Sequence, residues 1–182
     1  MPRITLIGYR GTGKSTVAAR LAEQLGCAWC DADVVLEERL GCTIAALVRE
    51  RGEAGFRDAE ADLLAELLAG FSGVLATGGG VVLRPGNREL LARRGRPVVW
   101  LRAAPDVIRR RLAADPSTPD RRPSLTGTDP LAEVDRALEE REPLYRALAD
   151  LEVDTSVADA DALATRLAEW LARGAPATGS KP

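Results

Sequence analysis

Residues 6 to 26 read LIGYRGTGKSTVAARLAEQLG: an apolar run, three glycines within six residues, and a helical pattern that opens on a lysine and two hydroxyls. An anion is the ligand that needs so much bare backbone in front of a helix. Gly8 followed by Gly13-Lys14-Ser15 has the spacing G-x-x-x-x-G-K-[ST], in which backbone N–H groups and the positive end of a helix surround the phosphates of a nucleotide. Gly11, Thr12, Gly13, Lys14, Ser15 and Thr16 are therefore the candidate phosphate contacts.

Further residues have chemistry to offer. Asp31 and Asp33 follow a second apolar run, two positions apart. Carboxylates so placed repel each other unless a cation or hydroxyl donors lie near, which points to a metal and to substrate hydroxyls. Asp33 also reads as a helix N-cap, a position that favours aspartate. Gly78, Gly79 and Gly80 follow a third run. A tight turn uses one or two glycines and each costs backbone entropy, so the third points to a ligand close to the main chain.

Helical phase singles out charges on apolar faces. Advancing about 100° per residue from Phe56 gathers Leu63, Leu64, Leu67, Leu68 and Phe71, with Glu60 in the middle of their sector and Arg57 near its edge. Asp58, Asp62 and Glu66 fall on the opposite side. The same count over 131–150 puts Arg141 among Leu131, Val134, Leu138, Tyr145 and Leu148, with Pro143 expected to bend the chain just beyond. A buried cation needs a carboxylate. Arg57 with Glu60, at i and i+3, reads either as a structural ion pair or as part of a ligand site. Arg141 has no carboxylate in its own sector, so a bound acid is its expected counter-ion. Two inward arginines suit bidentate recognition of a carboxylate. Between 113 and 130 the chain has four prolines and little apolar content. It reads as a lid whose Arg121 and Arg122 bring a cation to a transferring phosphate, or as a solvated loop.

Elements must hold these residues in place. Short apolar runs at 3–8, 28–31, 73–77, 97–101 and 151–154 read as buried strands separated by helical periodicity. Such alternation predicts an α/β fold, a five-stranded parallel sheet with helices on both faces. Ligands then lie outside the carboxyl ends of the strands, where the three motifs fall. A length of 182 residues predicts one domain over 1–173, with a lid at about 113–128 and a frayed tail at 174–182. Such a chain buries roughly 70% of its unfolded surface.

Composition narrows the function. A net charge of -2 provides no basic field for nucleic acid. The N-terminus lacks a signal-peptide pattern and no apolar run approaches the roughly 20 residues that span a bilayer, so a cytoplasmic protein is expected. No helix shows a second apolar face, which predicts a monomer. The absence of histidine excludes a histidine relay and a histidine-ligated zinc. Cys27 and Cys30 have a C-x-x-C spacing but run into a strand rather than opening a helix, so they read as packing, not redox chemistry.

A phosphate loop, then DAD, FRDAE, TGGGVV, a proline-bearing segment with RRP, and REPLY, in this order, resembles the shikimate kinase family over residues 3 to 172. The resemblance implies a P-loop kinase fold with a mobile lid, and ATP-dependent phosphorylation of the 3-hydroxyl of shikimate with Mg2+, in the pathway to aromatic amino acids. By position it implies that Lys14 and the loop glycines hold the phosphates and that Ser15 ligates magnesium with Asp31. It also implies that Asp33 meets the reacting hydroxyl, that Arg57 and Arg141 grip the shikimate carboxylate, and that Gly78, Gly79 and Gly80 line the ring. Arg122 is the implied lid arginine; the family follows its Arg-Pro with two leucines, and Ser124 stands at the first. An arginine among 109–111 and the backbone at 153–155 are the implied base contacts. The rivals are a gluconate-type or nucleoside monophosphate kinase and a nucleotide-gated binding module. The nucleotide acceptor calls for base-recognition side chains in a chain that is 4% aromatic. The module has no need of inward arginines.

Overall fold

The computed structural model describes residues 1–114 and 133–174. Five strands, β1 (Ile4–Ile7), β2 (Ala28–Asp31), β3 (Gly73–Ala76), β4 (Val98–Arg102) and β5 (Leu151–Asp154), pair in parallel in the order β2-β3-β1-β4-β5. Each lies within one residue of an apolar run. The helices are α1 (Lys14–Leu25), α2 (Ala32–Leu40), α3 (Ile44–Gly70), α4 (Pro85–Arg94), α5 (Pro105–Ala114), α6 (Glu133–Leu148) and α7 (Ala160–Ala172).

Alternation along the strands sorts the core into layers. Ile4, Leu6, Val99 and Leu101 pack against α1 and α7 on one face. Ile7, Val98 and Trp100 face the other way, against Leu64 and Leu68 of α3 and Tyr145 and Leu148 of α6. The chain leaves β1 for the edge strand β2, returns through β3, and crosses to β4 on the far side of β1. Loops therefore diverge at the carboxyl end of β1, which opens a crevice there.

Two expectations need correction. The 28–31 run is not buried: β2 is an edge strand, and Trp29 is 42% exposed. Asp33 is not the cap of α2; Asp31 is, with its side chain accepting the Asp33 N–H at 2.9 Å. Within α3, Gly52 adopts φ 71° and ψ 175°, so two helical segments meet there at a kink. Among the described residues, no helix is long and apolar enough to cross a membrane.

Candidate active site

The phosphate loop spans the turn from β1 to α1. Gly13, the residue before α1, sits at φ 87° and supplies no side-chain cap, so the first amides of the helix meet no protein side chain at that position. Lys14 folds back along the loop, its Nζ donating to Gly8 O at 2.8 Å and Tyr9 O at 3.0 Å. The Thr12 hydroxyl donates to Tyr9 O at 2.7 Å. At Gly8 (φ 140°) an added Cβ would collide with the Leu101 carbonyl, so glycine is required there.

Ser15 and Asp31 come together across the crevice, the Ser15 hydroxyl donating to Asp31 Oδ2. Burial, and then the adjacent Asp31 carboxylate, pushes the thiol of their neighbour Cys30 up to about 11. Asp33 reaches from the first turn of α2 toward the glycine triplet.

Each of the three glycines makes room for a different protein group. A Cβ on Gly78 would lie 2.6 Å from Asp33 Oδ1 and 2.7 Å from Glu60 Oε1; on Gly79, 3.1 Å from the Arg10 backbone N; on Gly80, 2.5 Å from Arg57 Cζ. The triplet is thus a spacer between the carboxylates of Asp33 and Glu60, the phosphate loop and the Arg57 guanidinium. The close approach anticipated for a ligand is in part made by the protein's own side chains. Tyr145 of α6, fully buried, fixes the middle of the spacer by donating its hydroxyl to Gly79 O. Burial raises that phenol above its ordinary range, so it stays a donor.

The ion-pair reading of Arg57 is seen directly. Arg57 and Glu60 form a buried ion pair at 2.9 Å, with Glu53 a weaker partner at 3.4 Å. Arg57 Nε nevertheless has no hydrogen-bond partner among the described residues, and the same is true of Arg141 Nε and Glu60 Oε1. Burial raises the Glu60 carboxyl, against the pull of Arg57 first and then of Arg141. Arg141 therefore does have a carboxylate in its field, on another helix. Its guanidinium also lies 5.4 Å from the centre of the Tyr9 ring, on the phosphate loop.

A cleft of about 340 Å³ has Lys14, Ser15, Asp31, Asp33, Gly79 and Arg111 among its walls; Arg57 and Arg141 do not line it. Arg111 separates itself from its two neighbours, since Arg109 pairs with Asp135 and Arg110 with Asp106, both at the surface. Arg111 instead donates to Gly11 O at 3.2 Å and to Thr155 O at 2.7 Å. Its place on the same helical face as Ile108 and Leu112 was a signal available in the sequence. Tyr145, four residues after Arg141, was another; it counts there only as apolar. Arg121, Arg122, Ser124, Leu131 and nearly all of the lid at 113–128 lie outside the described residues, as does the tail beyond Gly174.

Comparison with known proteins bears on what this cleft does. The family model for shikimate kinase matches residues 10–172. A shikimate kinase of Rhodopirellula baltica is 46% identical over 162 residues, covering 89% of this chain and 86% of its own. The structure of a shikimate kinase from Acinetobacter baumannii in complex with shikimate superposes with a TM-score of 0.86 at 35% identity, over 93% of this chain and 92% of that one. A gluconokinase from Sinorhizobium meliloti reaches a TM-score of 0.57 at 19% identity, over 93% and 95% of the two chains, which is a likeness of fold alone.

Proposed function

The chain belongs to the shikimate kinase family, and from that premise we propose the residues by which it phosphorylates shikimate. The reaction moves the γ-phosphoryl group of ATP to the 3-hydroxyl, with ADP as the second product. One observation carries the assignment of the acceptor side. Arg57 and Arg141 each keep a buried Nε–H without a partner among the described residues. Asp33 stands two glycines away along the spacer that Arg57 packs against. A ligand with a carboxylate satisfies both arginine N–H groups and brings its hydroxyls to Asp33.

On the donor side, the amides of Gly11, Thr12 and Gly13 and the hydroxyl of Thr16 receive phosphate oxygens, and Lys14 neutralises their charge. Ser15 and Asp31 fit Mg2+: a hydroxyl and a carboxylate in contact are hard oxygen donors of the number such an ion takes beside phosphates. When bound, the ion neutralises charge that develops on the terminal phosphates. Arg111 lies against the base, held at the wall of the cleft by its bonds to Gly11 and Thr155. Arg122, carried on the segment read as a lid, adds a cation at the transferring phosphoryl group. Asp33 orients the acceptor hydroxyl and receives its proton. Little covalent chemistry is asked of these groups, so rate comes from positioning and charge neutralisation.

The enzyme works as a cytoplasmic monomer, with neither nucleic acid nor membrane as partner. ADP release tests the reading: it is expected to require shikimate and to stay at background with gluconate or a nucleoside monophosphate as acceptor. Equal release with any of these would sink the assignment.

A further inference from the structure

We propose that the Thr155 hydroxyl is a positioning residue for nucleotide binding, which holds a phosphate-loop carbonyl out of the cleft. The inference rests on the reading of that loop as the ATP site. Thr155 is the first residue past β5 and is 2% exposed. Its Oγ1 lies 3.0 Å from Thr12 O and 3.1 Å from Arg102 O, and accepts from Arg111 Nη1 at 3.1 Å. A hydroxyl has one proton to give. Arg102 O already accepts the Thr155 backbone N–H at 2.8 Å, and Thr12 O is the nearer of the two carbonyls, so we assign the proton to Thr12 O.

The consequence follows from the peptide plane. A trans peptide sets its C=O and the following N–H in opposite directions. Drawing the Thr12 carbonyl back toward β5 turns the Gly13 N–H the other way, and Gly13 lines the cleft. Three other loop carbonyls are also taken by side chains: Gly8 O and Tyr9 O by Lys14, and Gly11 O by Arg111. Any of them turned inward would set a negative dipole against a phosphate oxygen. Gly11 O and Thr12 O differ from the first two in that their side-chain donors come from 100 and 143 positions away in sequence, so loop geometry at Thr12 depends on β5 being docked. Valine at 155 keeps the branch and the volume but leaves that carbonyl facing a methyl group, which removes the restraint.

The test compares T155V with T155S in the full chain, measuring equilibrium binding of ATP and of inorganic tripolyphosphate, with KM for shikimate alongside. For T155V we expect affinity for ATP and tripolyphosphate to fall together by about tenfold, and KM for shikimate to stay within about twofold. T155S is expected to restore both affinities. Equal losses in T155S and T155V would show that the hydroxyl alone does not carry the effect, and would overturn the proposal. Weaker ATP binding with unchanged tripolyphosphate binding would also overturn it, by placing the effect on the base through Arg111, and so would unchanged affinities. If circular dichroism shows T155V unfolded, T155A against T155S carries the same comparison. A wild-type chain that releases no ADP with shikimate would instead refute the reading of the whole site, whatever the variants bind.

Discussion

At the scale of single residues, the side chain of Asp33 meets the glycine spacer at Gly78, where Glu60 Oε1 also ends. Asp31, not Asp33, caps α2, so the chemistry of Asp33 can be removed without uncapping that helix. Asp33→Asn keeps the shape and removes the charge and the proton acceptor. We expect kcat to fall on the order of 10² to 10⁴, or about 3 to 5 kcal/mol of barrier, in initial-rate measurements at saturating ATP and shikimate. A rise in KM with kcat preserved would instead make Asp33 a substrate clamp. The cysteines give a prediction with a sign set by environment. Burial and Asp31 hold the Cys30 thiol protonated up to about 11, so at pH 8 only about one molecule in a thousand carries its thiolate, the reactive form. Iodoacetamide labelling followed by mass spectrometry is expected to leave Cys30 largely unmodified at pH 8 and to modify it faster as the pH is raised toward 11. Rapid labelling at pH 7 would contradict this.

At the scale of elements, the turn after β3 works as a ruler. Its successive glycines separate the carboxylates, the phosphate loop and Arg57, and Tyr145 from α6 holds its middle carbonyl. One methyl group at either end should therefore have a different kinetic signature. Gly80→Ala puts a Cβ into the Arg57 guanidinium and is expected to raise KM for shikimate by tenfold or more, since about 1.4 kcal/mol of lost or misdirected contact suffices for that. KM for ATP should hardly move. Gly78→Ala instead displaces Asp33 and Glu60, and its main effect is expected on kcat. The two variants, compared by steady-state kinetics with each substrate varied, would refute the ruler if their profiles were the same. The helix that carries Arg57 and Glu60 places them by phase alone: Phe56, Leu63, Leu64 and Leu68 are buried around them. Helical counting could therefore find this charged pair on an apolar face before any fold was known.

At the scale of the whole molecule, the described residues form one sheet covered on both faces, and α7 closes the layer over α1. Arg173 still caps α7, donating its N–H to Glu169 O at 3.1 Å, and Gly174 follows at φ 82°. We expect truncation after Gly174 to leave activity intact and to move Tm by less than about 2 °C in calorimetry, as for segments outside a domain's packing. A larger loss would extend the domain past 173. The amino-acid sequence by itself determined the parts whose contacts are local. The phosphate loop lies within one turn from strand to helix; Asp31 and Asp33 follow a strand; Arg57, Glu60 and Arg141 show by helical phase. Only the tertiary structure decided which of these meet. Glu60 faces Arg141 from another helix, each glycine of the triplet has a different neighbour, Arg111 alone of three arginines turns to the loop, and Thr155 reaches Thr12. The physical reason is that periodicity encodes which face of an element is buried. What that face touches depends on strand order and helix docking, which bring together residues far apart in the chain.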